Sequence, residues 1–375
     1  MTIRVAFGLE QLLDDAPGGI GRYVAELALR LPGCDVDVVG FTARHPRRRV
    51  DRAMRNFGLE GVEPVILGLP RPVLYDTWHI ARAFGPEARV GNVDLVHAPS
   101  LAVPPRKQVP LIVTVHDAAP MTMPETFTRR GRWFHQRGII AAADRADAVI
   151  TVSEFSAEEI AAYTPIPRAR IRVVPNGVDL SPATPKEVQR ALHTFGLEDR
   201  PYVFWLGTSQ PRKNVRVLLD AFAAVVKEAE VPHRLVLAGA SGWLVDDESV
   251  TRALGDRVRL IGAVPEMHLA SLFAGADLFA FPSRHEGFGI PVLEAMAQQT
   301  AVVCGDIPVL REVAGDAACF VDPDDVEAWA DALARLLTDD AERAGLVEKG
   351  SEHAPRYSWD RCARETAAVY REVLR

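Results

Sequence analysis

The chain alternates short apolar runs with longer stretches in which apolar residues recur at helical spacing. Apolar, β-branched runs predict strands at Ile3–Phe7, Val36–Phe41, Leu95–His97, Leu111–Val115 and Ala148–Val152. Helical patterns separate several of them, as at Arg22–Leu31 and Arg132–Asp144. After Val173 the alternation starts again, with strands predicted at Tyr202–Leu206, Arg234–Leu237, Val258–Leu260, Leu278–Phe281, Ala301–Val303 and Cys319–Val321. Helices are predicted at Val215–Glu228, Glu266–Phe273, Val292–Gln298 and Val326–Thr338. Two successive β/α series predict an α/β protein with two doubly wound parallel sheets. The stretch Pro175–Pro185, rich in proline and polar residues, reads as the linker. Ligands of open α/β sheets bind beyond the carboxyl ends of the strands. A small-molecule site is therefore expected in the strand-to-helix turns, at the cleft between the domains.

Composition narrows the class. A chain of 375 residues is long for one core and comfortable for two. With 48% hydrophobic and 25% charged residues, disorder and collagen-like structure are excluded. No apolar run reaches the ~18 residues of a membrane span. The opening Met-Thr-Ile-Arg-Val-Ala-Phe enters a strand pattern with no signal peptide, so a cytoplasmic location is expected. Cys34, Cys304, Cys319 and Cys362 are far apart and form no CxxC pair, which argues against structural zinc and a disulfide framework. The net charge of −7 divides into +3 over residues 1–175 and −10 over the rest, suggesting different partners for the two halves. So slight a basic excess, without a binding module, argues against nucleic acid.

Four turns carry candidate chemistry. Glu286-Gly-Phe-Gly-Ile-Pro-Val-Leu-Glu294 follows the strand Leu278–Phe281 and runs into a helix near Pro291. Free N–H groups at such a helix start suit a diphosphate, and Gly287 and Gly289 let backbone approach a ligand closely. Glu286 and Glu294 then fit sugar hydroxyls better than phosphates. Glu294 alone would equally complement the positive helix end; both acids in register with the glycines and the proline point to a ligand. In Gly207-Thr-Ser209-Gln-Pro-Arg212-Lys213-Asn214, Asn214 reads as an N-cap. Arg212 and Lys213 then stand at a strand's carboxyl end, where a guanidinium beside an ammonium suits a leaving diphosphate. Gly18-Gly19-Ile-Gly21-Arg-Tyr lacks the third glycine of a dinucleotide fingerprint and reads as a flexible turn before a helix. His116-Asp117 follows the strand Leu111–Val115, and His116 there can donate a hydrogen bond to a sugar or phosphate oxygen. Ser153 or Ser156 caps the helix that begins nearby.

Together these residues resemble family 4 of the retaining glycosyltransferases, which share the GT-B architecture of two Rossmann-like domains facing across a cleft. The likeness runs from Gly-Ile-Gly-Arg-Tyr through His116-Asp117, Pro120 and Pro124-Glu125, Ser153-Glu-Phe-Ser and Val174-Pro-Asn-Gly-Val-Asp179 to Pro211-Arg-Lys-Asn214. It continues through Leu237-Ala-Gly, Pro282-Ser283, Glu286 to Ala297, and Tyr357-Ser-Trp. The resemblance implies an acceptor-side domain over 1–178, a donor domain over 184–357, and a last helix at about 358–375 returning to the first domain. It implies that Arg212 and Lys213 neutralise the departing diphosphate and that Glu294 holds the ribose. Glu286 and the backbone of Phe288–Ile290 would orient the donor sugar, and His116 would contact that sugar. Gly19 and Gly21 would line the cleft, and Asp117, Gly207, Ser209, Gly287, Gly289 and Leu293 complete the expected donor-binding set. No metal is needed, since basic residues and a helix end do the work of a cation. The His-Asp-x-x-Pro-x-x-x-Pro-Glu order is similar to bacterial polysaccharide mannosyltransferases, which favours GDP-mannose as donor, UDP-glucose next, and a glycan, lipid-linked or small-molecule acceptor. Departures are small: Ile290 stands where leucine is commoner, and Gln298-Gln299 where glycine is usual. A nucleotide-sugar 2-epimerase and a non-catalytic partner protein are the alternatives. Arginines 47–49 and the arginine- and aromatic-rich stretch 129–137 suggest peripheral contact with the inner face of a membrane.

Overall fold

A computed structural model describes residues 2–15, 17–208, 210–229, 231–239 and 254–375. The chain forms two compact units, Met1–Gly177 with Trp359–Arg375, and Val178–Ser358.

The first unit holds a seven-stranded parallel sheet. Its strands are β1 (Ile3–Gly8), β2 (Val36–Thr42), β3 (Val65–Ile66), β4 (Leu95–Ala98), β5 (Leu111–Thr114), β6 (Ala148–Thr151) and β7 (Ile171–Val173), in the order β3-β2-β1-β4-β5-β6-β7. The second unit holds a six-stranded sheet of β8 (Tyr202–Leu206), β9 (Arg234–Ala238), β10 (Val258–Gly262), β11 (Leu278–Phe281), β12 (Ala301–Gly305) and β13 (Cys319–Val321), in the order β10-β9-β8-β11-β12-β13. Strand order therefore reverses between β1 and β4 in one sheet and between β8 and β11 in the other, and such switch points are where ligands bind.

The strands read as unbroken apolar runs because helices cover both faces of a parallel sheet. All four residues of β11 and all five of β12 are buried. The helix Val215–Glu228 turns Leu218, Phe222 and Val225 into the core that contains Trp205 and Trp329. Burying a side chain such as Phe222 stabilises by ~1.5–3 kcal/mol, and truncating it to alanine would cost ~3–5 kcal/mol. Two strands escaped the pattern reading. The two residues of β3 and three of β7 are too short to show a period, and only pairing with β2 and β6 defines them.

The glycine segment departs from expectation. The helix predicted from Arg22 begins at Gly18, so Gly18, Gly19 and Ile20 form its first turn rather than a loop before it. Gly21 is buried there, and a Cβ on it would stand 2.2 Å from Pro17 Cβ. Ser153 is the cap of Glu154–Tyr163, its hydroxyl accepting from Ser156 N.

Candidate active site

In the second unit the turns after β8 and β11 meet at the switch point. Arg284 N donates to Arg212 O at 2.8 Å, which ties the two turns together through their backbones. The turn after β8 closes as a short 3-10 helix, Pro211–Lys213, and Asn214 then takes a left-handed conformation at φ 53°. Asn214 occupies the N-cap position of Val215–Glu228, but its side chain makes no cap hydrogen bond. Its Nδ2 instead donates to Pro323 O at 2.5 Å, because a left-handed backbone turns the side chain away from the helix start.

This geometry brings Arg212, Lys213 and Glu286 into contact. Lys213 Nζ lies 2.5 Å from Glu286 Oε1, and Arg212 Nη1 lies 3.2 Å from Glu286 Oε2. Arg212 also donates to His285 O at 3.2 Å, and Lys213 Nζ stands 4.9 Å from the centre of the Phe281 ring. Glu286 is only 6% exposed. Burial alone would raise its carboxyl, but the charges of Lys213 and Arg212 outweigh that and hold it at about 2. It is therefore ionised at neutral pH. Arg212 and Lys213 thus converge on Glu286 beside the helix Ile290–Ala297.

That helix begins after Gly289, which sits at φ 104°, with Pro291 in its first turn. Its early N–H groups and the Arg212–Lys213 pair form an anion-attracting surface of the kind a diphosphate requires. Gly207 lies in the first turn of the site, where Gly207 N donates to Ala238 O at 3.0 Å. Gly287, Phe288, Ile290 and Glu294 lie in the second turn and its helix. Leu293 is 0% exposed, so its side chain is buried and its backbone is the part a ligand would meet. Both Glu286 oxygens meet cations, Oε1 with Lys213 and Oε2 with Arg212. Ser209 lies outside the described residues. Among the described residues no group of three His, Cys, Asp or Glu side chains is placed to hold a metal ion.

The remaining expected residues lie in the first unit. His116 Nε2 meets Pro99 O at 3.0 Å. A carbonyl only accepts, so Nε2 carries the proton, and Nδ1 of the neutral ring is left as an acceptor. Burial pushes the His116 pKa below the ordinary histidine value, and the Pro99 carbonyl and Asp117 oppose this only partly. His116 is thus suited to accept a hydrogen bond from a hydroxyl rather than to donate one. Asp117 Oδ1 accepts from Ala119 N at 3.0 Å, so that oxygen shapes the local turn. Gly19 is exposed in the first turn of its helix.

Sequence reasoning missed the support beneath His116. The Tyr23 and His116 rings meet nearly perpendicular, with centroids 5.0 Å apart. The Tyr23 hydroxyl is 3.0 Å from Thr114 Oγ1, which lies 2.8 Å from His97 Nε2, and His97 Nδ1 lies 2.6 Å from the Tyr370 hydroxyl. Burial, with a smaller push from His116, lowers His97 to about 3, so it stays neutral in this buried chain. Tyr370 belongs to the final helix, Trp359–Val373. Only Tyr23 had a sequence signal, as the end of the glycine motif. His97, Thr114 and Tyr370 had none, because their partners are distant in the chain.

The chain holds two doubly wound sheets, one of them with paired basic side chains and a glycine-started helix at its switch point, as in GT-B glycosyltransferases. Comparison with known proteins agrees. The family models described as Glycosyltransferase Family 4 and Glycosyl transferases group 1 match residues 17–182 and 192–353. O-antigen chain mannosyltransferase B of Escherichia coli is 33% identical over 285 residues, 74% of this chain and 74% of that protein. D-inositol 3-phosphate glycosyltransferase of Salinispora arenicola is 31% identical over 397 residues, 95% of this chain and 88% of that protein. Among solved structures, Anabaena HepE in complex with UDP and glucose superposes with a TM-score of 0.74 at 18% identity, over 98% of this chain and 99% of that one. The chain belongs to glycosyltransferase family 4, and it is a transferase enzyme.

Proposed function

We propose that the chain transfers a hexose with retention of configuration, with GDP-mannose as the favoured donor and UDP-glucose next, to a glycan, lipid-linked or small-molecule acceptor. The observation that carries this reading is the Arg212–Lys213–Glu286 cluster at the start of Ile290–Ala297. As the anomeric C–O bond breaks, its electron pair moves to the diphosphate, and Arg212, Lys213 and the helix N–H groups stabilise that charge. The acceptor oxygen forms the new bond on the same face, and its proton passes to the leaving phosphate. No metal takes part in this scheme. Glu286 keeps Lys213 and Arg212 aimed at the phosphates, and its unused lone pairs accept a donor-sugar hydroxyl. Glu294 accepts from the ribose, and His116 Nδ1 accepts from a hydroxyl of the transferred sugar. The mannosyltransferase relative favours a mannosyl donor; the complex of HepE with UDP and glucose favours UDP-glucose.

Peripheral contact with a membrane is a further part of this reading. No described helix is long and apolar enough to cross a membrane. Arg47 pairs with Asp51 and Glu63, and Arg49 pairs with Asp15, so these two face protein carboxylates. Arg129 and Arg130 are exposed at the start of Arg129–Arg145, and Arg130 likewise faces a protein carboxylate, Asp76. Co-sedimentation with anionic liposomes tests it, and binding that ignores anionic lipid ends it.

The test of the whole reading is a thermal-shift panel of GDP-, UDP- and ADP-sugars, followed by determination of the product's anomeric configuration. A ligand that binds only the folded chain raises its melting temperature. GDP-mannose is expected to give the largest shift, and Glu294→Ala to raise donor KM more than it lowers kcat. An inverted product, or no shift with any nucleotide sugar, refutes the reading.

A further inference from the structure

His97 of β4 and Thr114 of β5 are fully buried, and so are Tyr23 of the helix Gly18–Arg30 and Tyr370 of the final helix. An imidazole, an alcohol and two phenols are a costly way to fill a core. Each must be paired to offset its lost hydration, whereas leucine, valine and phenylalanine would fill similar volumes without that demand. What a fully paired polar chain adds is orientation, because each hydrogen bond fixes one group relative to the next. The group at the open end of this chain is His116.

Alternate residues of a strand face the same side. His116 stands two positions beyond Thr114, and Pro99, whose carbonyl accepts the His116 hydrogen bond, stands two beyond His97. β4 and β5 pair with His97 opposite Ile112 and Ala98 opposite Val113. His97 with Thr114 therefore forms one layer, and Pro99 with His116 the next. Tyr23 spans both layers: its hydroxyl is 3.0 Å from Thr114 Oγ1, and its ring stands nearly perpendicular to the His116 ring. The Pro99 bond alone leaves the imidazole free to turn about that bond, and the Tyr23 ring removes this freedom. The plane so fixed decides where the Nδ1 lone pair points.

The far end of the chain is equally held. His97 Nδ1 lies 2.6 Å from the Tyr370 hydroxyl, and the Phe7 and Tyr370 rings flank the imidazole with centroids 5.1 and 5.6 Å away. The final helix is tied down at both ends. Asp360 meets Arg30 at 3.0 Å, Arg371 donates to Cys34 O at 2.6 Å, and Glu372 pairs with Arg172.

We propose that Tyr370 is a positioning residue for His116, acting through His97, Thr114 and Tyr23, so that the final helix sets the direction in which Nδ1 is offered to the transferred sugar. The inference rests on the reading above in which His116 meets that sugar. The test is a double-mutant cycle on the full chain, with kcat/KM measured for the nucleotide sugar that binds best. Tyr370→Phe removes one oxygen and is expected to lower kcat/KM about fivefold, within the range of coupling through a packed network. Thr114→Val cuts the chain nearer to His116 and should lower it at least as much; it carries the same cycle if Tyr370→Phe fails to fold. In the His116→Phe background each change is expected to leave kcat/KM where it was, because no imidazole remains to be oriented, while the melting temperature falls equally in both backgrounds. With histidine ring carbons labelled, the His116 signals are expected to shift in Tyr370→Phe, three hydrogen bonds and a ring contact away. A tyrosine with a purely structural role would lower kcat/KM alike in both backgrounds, and that result overturns the inference. His116 signals that stay in place overturn it too. If His116→Phe by itself leaves kcat/KM unchanged, the contact between His116 and the sugar falls, and this inference with it. A loss in His116→Phe with none in Tyr370→Phe or Thr114→Val overturns this inference alone.

Discussion

Lys213 Nζ and Glu286 Oε1 stand 2.5 Å apart although 73 positions separate them in the chain. The pair joins the two turns at the switch point of the second sheet, and it is buried. Lys213→Ala is expected to lower kcat by on the order of 10²–10³, the scale for losing one preorganised charge-stabilising group. It also leaves Glu286 with Arg212 alone, and breaking a buried pair costs ~3–5 kcal/mol of stability. The double variant Lys213→Ala/Glu286→Gln should recover much of that stability and none of the turnover. Steady-state kinetics with urea denaturation check both halves, and near-wild-type turnover in the single variant removes Lys213 from the mechanism.

Acid should weaken the same pair within a defined window. The Glu286 carboxyl is held at about 2, against 4.5 when unperturbed. A depressed folded value gives stability that is complete above the unfolded value and is lost as pH falls from about 4.5 through about 2. The stability gap between wild type and Glu286→Gln is therefore expected to be full above about pH 5 and to narrow on acidification. Urea midpoints measured across that range check this. A gap of constant size would show that the ionised pair contributes nothing.

His116 should be silent near neutrality. Burial holds it below the ordinary histidine value, so the ring is neutral at pH 7 and above and accepts through Nδ1. The pH profile of kcat/KM is expected to lack a His116 inflection near ~6.5. His116→Phe should lower kcat/KM by about tenfold or more through a lost hydrogen bond. An inflection near ~6.5 in the wild type that disappears in this variant would mean the ring works in its charged form.

Gln299 follows the helix Ile290–Ala297 at φ 60°, a left-handed conformation that side chains resist. Such a conformation costs a non-glycine residue ~1–2 kcal/mol. Gln299→Gly is expected to stabilise the chain by up to about 1 kcal/mol, since the gain is partly offset by greater freedom in the unfolded state. Thermal and urea unfolding check it, and a destabilised variant would mean that the Gln299 side chain makes a compensating contact.

What the sequence alone determined follows from local pattern. Strands such as Leu278–Phe281 and helices such as Val215–Glu228 are legible because burial on both faces of a parallel sheet demands unbroken apolar runs and helices demand their own period. The two turns that carry Arg212, Lys213, Glu286 and Glu294 are legible because glycine, proline and charge cluster where a strand becomes a helix. The family resemblance marks glycine as usual at Gln298-Gln299, and the left-handed Gln299 shows why that position favours it. Tertiary structure alone decided what these residues do to one another. It joined Glu286 to Lys213 and Arg212, gave Leu293 to the core, turned His116 into an acceptor, and linked Tyr23, Thr114, His97 and Tyr370 in one buried chain. The physical reason is that hydrogen bonds and ion pairs depend on ångström distances between residues far apart in sequence. Those distances are fixed by strand order and loop closure, and no local periodicity encodes them.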